Sequence, residues 1–109
     1  MIEEFKIYEA TDGNFERMRD RFLAEAAPRL TAHGVTIVAA WEQRGDVPKL
    51  IYLTRAASED ALKAGWAAFG ADPAWRSIKA QSEVEGPLLA QQVAMPVRPL
   101  TLQEGEGAL

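Results

Sequence analysis

Three of the four predicted strands in this sequence are apolar on both sides. The run 35–42 carries apolar residues at all of its odd positions and also at Val38 and Ala40 on the opposite side. The runs 50–54 and 88–95 show the same two-sided pattern. Because a sheet with a solvent-exposed face alternates apolar and polar residues, each face of this sheet is expected to be covered. Soluble monomers avoid large open apolar patches, so a symmetric homodimer is the expected cover for the second face.

The spacing of apolar residues predicts the element order strand, helix, strand, strand, helix, strand. Alternation predicts the first strand over residues 2–10, a hairpin over 35–54 and a last strand over 88–95 that ends at Pro96. This order predicts an α+β, ferredoxin-like βαββαβ fold. It contains a four-stranded antiparallel sheet with its helices on one face.

Start and stop signals place the helices between these strands. A helical stripe runs from Asn14 to the stop at His33-Gly34, and Pro28 predicts a kink or a restart within it. Ser58 is expected to cap the second helix. Asp72-Pro73 combines a capping residue with a proline at the first helical position, which predicts a further short helix ending near residue 82.

Length and composition restrict the possible functions. The 109 residues are predicted to form one domain over 1–96, followed by a C-terminal tail or dimer strap over 97–109. The absence of cysteine excludes disulfides and thiolate chemistry and fits a cytoplasmic location. The net charge of −4 and the lack of a long apolar run predict neither nucleic-acid binding nor membrane insertion. No metal or cofactor motif is present, so none is predicted.

A polar stripe on the first strand is the main candidate site. Glu4, Lys6 and Tyr8 are two residues apart, so their side chains project from the same face, with neighbours roughly 7 Å apart. In a pocket, Lys6 would anchor an anionic group, Glu4 would act as a base or an orienting group, and Tyr8 would donate a hydrogen bond. The alternative is an ordinary polar strand face. The other candidate ligand-binding residues are Trp41, Tyr52 and Thr54, and no catalytic residue is assigned.

The single histidine and the aromatic residues are given structural roles. His33 alone cannot form a multi-histidine metal site, and at a helix end it is expected to interact with the last carbonyl groups. A haem ligand is the alternative. Trp66 and Trp75 follow helical spacing, which places them in the core rather than on a platform for stacking RNA bases.

The chain resembles small bacterial members of the NIPSNAP family, within the dimeric α/β-barrel superfamily. The resemblance covers about residues 2–95. The residues that carry it are Glu4-x-Lys6-x-Tyr8, His33-Gly34 followed by Trp41, Ser58, and Asp72-Pro73-Ala74-Trp75. It implies a homodimer in which two four-stranded sheets face each other, with the helices outside and a cavity between the sheets.

Two departures from the family pattern affect that cavity. Lys6 replaces the usual arginine and removes bidentate carboxylate recognition. Thr54 and Ala56 replace aromatic residues at the end of the third strand, which would enlarge or reshape the cavity. The polar stripe enters this space only if Phe5 and Ile7 face the helices.

Three functions follow as hypotheses. The first is a homodimer that binds a small, partly apolar molecule between its sheets. The second is a cofactor-independent monooxygenase or isomerase that uses the same cavity. The third is a purely structural assembly module whose inter-sheet space is fully packed.

Overall fold

A computed structural model describes residues 1–102 of the chain. Its strands are β1 (Ile2–Ala10), β2 (Thr36–Gln43), β3 (Lys49–Ala56) and β4 (Leu89–Val97). Its helices are α1 (Phe15–Arg21), α2 (Ala27–Ala32), α3 (Glu59–Ala71) and α4 (Pro73–Ser82), with a π-helical turn, Phe22–Ala26, between α1 and α2. The predicted α+β order is confirmed. Of the predicted tail or strap, residues 103–109 lie outside the described part.

The four strands form one antiparallel sheet in the order β2-β3-β1-β4. On the central strand β1, Lys6 lies opposite Tyr52 of β3 and opposite Ala94 of β4. Strand β4 continues through Pro96, where it was expected to end. It can do so because β4 is an edge strand, and an edge strand tolerates a residue that cannot donate a hydrogen bond.

The even-numbered residues of β1 face the helices. The ammonium nitrogen of Lys6 lies 4.5 Å from the centre of the Trp66 ring on α3. The ring of Phe5 instead lies 6.1 Å from that of Trp41, on the side of the sheet away from the helices. The condition that Phe5 and Ile7 face the helices is therefore not met, and the polar stripe does not enter the space between two facing sheets. Period-two alternation groups residues by face but does not say which face the helices cover.

A register shift between Ile37 and Ala39 breaks the alternation of β2. Ile37 packs against the core on the helix side. Ala39 lies opposite Leu53, and Trp41 lies opposite Ile51, on the other side. The predicted grouping of Ile37 with Ala39 and Trp41 was wrong. The irregularity inserts an extra residue, so the side chains after it point to the side opposite to the one that strict alternation predicts.

The core lies between the sheet and the helices. Its most deeply buried side chains are Tyr52, Met18, Leu30, Leu88, Val35 and Thr54. The interruption that Pro28 predicts takes the form of the π-helical turn, where the Ala27 amide bonds to the carbonyl of Phe22. None of the helices within residues 1–102 has the length and hydropathy to cross a membrane.

Helix α3 approaches the start of β2 very closely at Gly65. A Cβ atom on Gly65 would lie 2.6 Å from Cγ2 of Val35 and 2.8 Å from the carbonyl oxygen of His33. Only glycine leaves room for this approach. Gly65 thus allows α3, which carries Trp66, to pack closely against the sheet.

Candidate ligand-binding cavity

A cavity of about 350 Å³ lies between the sheet and the helices of the single chain. Its size is within the range of small-molecule sites. Aromatic and aliphatic side chains form most of its wall, namely Met18, Phe22, Ala26, Leu30, Trp66, Phe69, Trp75, Pro87 and Leu89. The polar residues of the wall are Tyr8, Arg21, Tyr52, Lys79, Glu83 and Gln92.

Two tyrosines meet at the sheet side of this cavity. The hydroxyl of Tyr52 donates a hydrogen bond of 2.7 Å to the hydroxyl oxygen of Tyr8. The two rings pack edge to face with centres 5.3 Å apart, and the Phe22 ring lies 4.4 Å from that of Tyr52. Tyr52 is fully buried. Burial raises the pKa of both tyrosines above the ordinary value of 10.0, so both are neutral hydrogen-bonding groups at neutral pH.

Charged residues from α1 and α4 form another part of the wall. Nη1 of Arg21 donates to Oε2 of Glu83 at 2.6 Å and to the hydroxyl of Ser82 at 3.0 Å. Lys79 contacts Oε1 of the same Glu83 at 3.4 Å. Burial alone would raise the pKa of Glu83, but the hydrogen bond from Arg21 and the charges of Lys79 and Arg21 hold that pKa below its usual value. The carboxylate therefore stays ionised between its two cations.

The aromatic wall is built by the end of α3 and the start of α4. The rings of Phe69 and Trp75 stack with centres 4.7 Å apart, and the Arg21 guanidinium lies 5.2 Å from the Trp75 ring. Trp66 packs edge to face on Phe69 at 5.9 Å. Within residues 1–102, the buried indole nitrogen of Trp66 has no hydrogen-bond partner. A buried donor without a partner is rare in proteins and needs an explanation.

Asp72 fixes the position of Trp75. Its Oδ1 accepts hydrogen bonds from the amides of Ala74 and Trp75, as expected for a helix-capping residue. Its Oδ2 lies 3.0 Å from Nε2 of His33, and this bond, followed by those from the two amides, lowers the pKa of Asp72. His33 thus caps the end of α2 and also contacts Asp72, which lies between α3 and α4. The haem alternative has no support in this arrangement.

The candidate residues predicted from sequence occupy different places. Tyr8 and Tyr52 line the cavity. Glu4 and Lys6 form an ion pair of 3.5 Å on the same side of the sheet, outside the cavity wall. Thr54 is buried and donates to the carbonyl of Glu4 at 2.9 Å.

Trp41 lies on the opposite side of the sheet, away from all the other candidates. Glu4 also borders a wider groove between α3 and the ends of β1 and β4, where Trp66 forms the shared wall with the cavity. The three side chains of the predicted stripe therefore do not line one pocket together.

The helical contribution to the cavity was not predicted. Arg21, Lys79, Glu83 and Gln92 carry no motif, and their meeting depends on how α1, α4 and β4 pack. A partial signal was present, because the helical spacing of Trp66 and Trp75 predicts that they lie in the core. Within residues 1–102, no three histidine, aspartate or glutamate side chains cluster closely enough to hold a metal ion.

Comparison with known proteins identifies the family. The family model of NIPSNAP matches residues 3–102. No curated protein matches the chain. Solved structures share its fold at low identity. A NIPSNAP family protein with unknown function from Agrobacterium tumefaciens is 17% identical, with a TM-score of 0.78 over 95% of this chain and 92% of that one.

A second relative is an uncharacterized NIPSNAP domain protein from Burkholderia xenovorans. It is 18% identical, with a TM-score of 0.75 over 94% of this chain and 98% of that one. A second Agrobacterium tumefaciens NIPSNAP family protein is 15% identical, with a TM-score of 0.78 over 96% and 98% of the two chains. The structural similarity to these proteins supports the fold, and the family model covers nearly the whole chain. The chain therefore belongs to the NIPSNAP family.

Proposed function

We propose that this protein binds a small, partly apolar molecule in the cavity between its sheet and its helices. The Tyr8–Tyr52 pair carries the proposal. Because Tyr52 donates to the Tyr8 oxygen, that bond does not use the hydroxyl hydrogen of Tyr8. A neutral donor beside aromatic walls suits a ligand with an apolar body and a hydrogen-bond acceptor. This replaces the earlier expectation of a ligand held between two sheets.

The ketone 2-acetylnaphthalene is a suitable probe, and isothermal titration calorimetry measures its binding. Replacing both Tyr8 and Tyr52 by phenylalanine removes both hydroxyl donors but keeps the rings, so affinity should fall roughly threefold to tenfold, the value of one hydrogen bond. Trp41→Phe is the matched control, because this aromatic residue lies on the opposite side of the sheet. Failure of the probe to bind the unmodified protein would count against the cavity as a binding site.

The second part of the proposal is a homodimer formed through the side of the sheet away from the helices, called here the open face. Its apolar residues are Phe5, Ile7, Ala39, Trp41, Ile51, Leu53, Val93, Met95 and Val97. Trp41 and Val93 are each 49% exposed in the single chain. Exposed apolar side chains grouped on one surface are typical of a protein interface.

The charges of the open face support a second copy as the partner. Arg55 pairs with Glu3 at 2.9 Å, and Lys49 pairs with Glu9 at 3.8 Å. The charges are thus balanced within the chain, so two identical faces can approach without net repulsion. A symmetric dimer places the same surface on both sides, which suits such a neutral, apolar face.

A cofactor-independent monooxygenase or isomerase in the same cavity is the alternative function. Within residues 1–102, Glu83 is the one carboxylate of the cavity wall, and it is bonded to Arg21 and Lys79. Neither the Glu83 carboxylate nor the neutral tyrosines are arranged to act as a general base, which favours binding over catalysis.

A dimer that binds no probe would instead favour the purely structural module. The cysteine-free composition supports the cytoplasm as the proposed location.

A further inference from the structure

Hydrogen-bond donors outnumber free acceptors on the wall of the cavity. Tyr8 already accepts from Tyr52, which leaves its own hydrogen to donate. The acceptor oxygens of Glu83 are both engaged, one by Arg21 and one by Lys79. Gln92 adds one amide, with equal capacity to donate and accept. A ligand that completes this wall must bring acceptors.

Arg21 is the strongest of these donors. Its side chain is 12% exposed, and its two hydrogen bonds within residues 1–102 both leave from Nη1. Nε and Nη2 therefore have no partner in that part of the chain. The contact with the Trp75 ring holds the guanidinium plane in place. A planar fork fixed in this way is suited to a carboxylate, which can accept two parallel hydrogen bonds.

The charges at this wall leave a positive excess. Arg21 and Lys79 are cations, and Glu83 is the one anion that they share. The sum is one positive charge beside a largely apolar cavity. A second anion would balance it, and a partly buried charge is stabilised by such pairing.

We infer that the preferred ligands are small aromatic or aliphatic acids bound as carboxylates. The ligand carboxylate accepts from Nε and Nη2 of Arg21, which Glu83 leaves free, with Lys79 as the second cation of the wall. The apolar body lies among Trp66, Phe69 and Trp75. This inference rests on the proposed function, because it names the class of molecule that the same cavity takes. Lys6, the anion anchor expected from sequence, has no part in it, since its ammonium group lies over Trp66 and beside Glu4.

A matched pair of probes isolates the carboxylate. 2-Naphthoate and 2-naphthamide have the same ring and nearly the same shape, but only the first is an anion. Calorimetry at low salt should show 2-naphthoate binding about tenfold more tightly, because hydrogen bonds to charged groups are the stronger ones. The preference should decrease with added salt.

Lys79→Met and Arg21→Met test the two cations. Lys79 is 54% exposed, so its replacement leaves folding intact. Arg21 is largely buried, and circular dichroism must confirm that its variant folds. Both variants should lose most of the preference for 2-naphthoate. Lys63→Met is the matched control, because Lys63 is an exposed lysine of α3 that borders the neighbouring groove instead. It removes the same charge and should keep the preference.

The indole resonances locate the bound probe. In a nitrogen–proton correlation spectrum, the Trp66 and Trp75 indole signals should shift on addition of 2-naphthoate, and Trp66→Phe and Trp75→Phe variants assign them. Equal binding of the two probes, or a preference unchanged in Lys79→Met and Arg21→Met, would overturn the carboxylate inference and leave the cavity as a binding site. Failure of both probes to bind, together with 2-acetylnaphthalene, would overturn the cavity as well.

Discussion

The hydroxyl group of Tyr52 donates a hydrogen bond of 2.7 Å to the hydroxyl oxygen of Tyr8, across the neighbouring strands β3 and β1. These are the two tyrosines of the whole sequence. Any tyrosine signal from the protein therefore reports on this pair. One of the pair is fully buried, and both border the candidate cavity.

At pH 10 the folded protein should contain less tyrosinate than the unfolded chain. Burial raises the pKa of Tyr8 and Tyr52 above 10.0, whereas the unfolded chain ionises at about that value. The neutral tyrosines thus contribute stability that is intact below pH 10 and decreases as the pH rises further. Absorbance at 295 nm at pH 10 should therefore be lower for the folded protein than for the protein unfolded in urea, with folding followed by circular dichroism. Equal tyrosinate absorbance of the folded and the unfolded protein at pH 10 would contradict this.

Substitution of the pair should be non-additive. Tyr8→Phe leaves the buried Tyr52 hydroxyl without its acceptor and should cost about 1–3 kcal/mol of unfolding free energy. Tyr8→Phe combined with Tyr52→Phe should cost less than the sum of the two single changes, because no donor then remains unpaired. Urea denaturation of the four proteins gives the coupling energy. Strict additivity would argue against the hydrogen bond.

Gly65→Ala should destabilise the protein by about 1–3 kcal/mol, the range for overpacking a core. The new methyl group would meet Val35 and the His33 carbonyl at distances below 3.0 Å. Gly70→Ala is the control in the same helix, where a Cβ meets nothing within 4 Å. It should be neutral or stabilising by up to about 1 kcal/mol, because alanine favours helix. Equal effects in urea denaturation would show that α3 does not approach β2 as described.

Val93→Lys should convert the proposed dimer into a monomer. Val93 lies beside Ile7 on the open face and is 49% exposed in the single chain, so a lysine there would be buried in the interface. Val84→Lys is the matched control, since Val84 follows α4 and is 81% exposed. Sedimentation equilibrium should report a dimer for the unmodified protein and for Val84→Lys. A monomeric mass for the unmodified protein would refute the dimer.

Acid should weaken the connection between α2 and α4. The hydrogen bond with His33, followed by the two helix amides, lowers the pKa of Asp72 below 3.8. The charged carboxylate therefore contributes stability that is present above about pH 3.8 and is lost as the pH falls through the lowered pKa. Asp72→Asn keeps the helix cap but removes the charge. Its stability should change less than that of the unmodified protein between pH 5 and pH 2, as followed by thermal unfolding.

Local sequence patterns were sufficient to predict the strands and helices of this protein and their order. Strand alternation in 2–10, the stop at His33-Gly34 and the cap Asp72-Pro73 depend on neighbouring residues, so the strands, helices and ferredoxin-like order could be predicted. The two-sided apolar strands also indicated the open face. The pairing of residues by face within β1 and β3 followed from the same period of two.

Which side of each strand the helices cover depends on the packing of the whole chain and could not be predicted from local patterns. Glu4, Lys6 and Tyr8 share a face of β1 whichever side the helices cover. Because the helices cover this side, the three residues lie on the side of Trp66 and the cavity and not on the open face. The register shift in β2 changed the side to which its later residues point, and no glycine or proline marks its position in the sequence. Arg21, Trp66 and Glu83 meet at one wall because separate helices pack on one sheet, and contacts between residues so distant in sequence leave no local pattern.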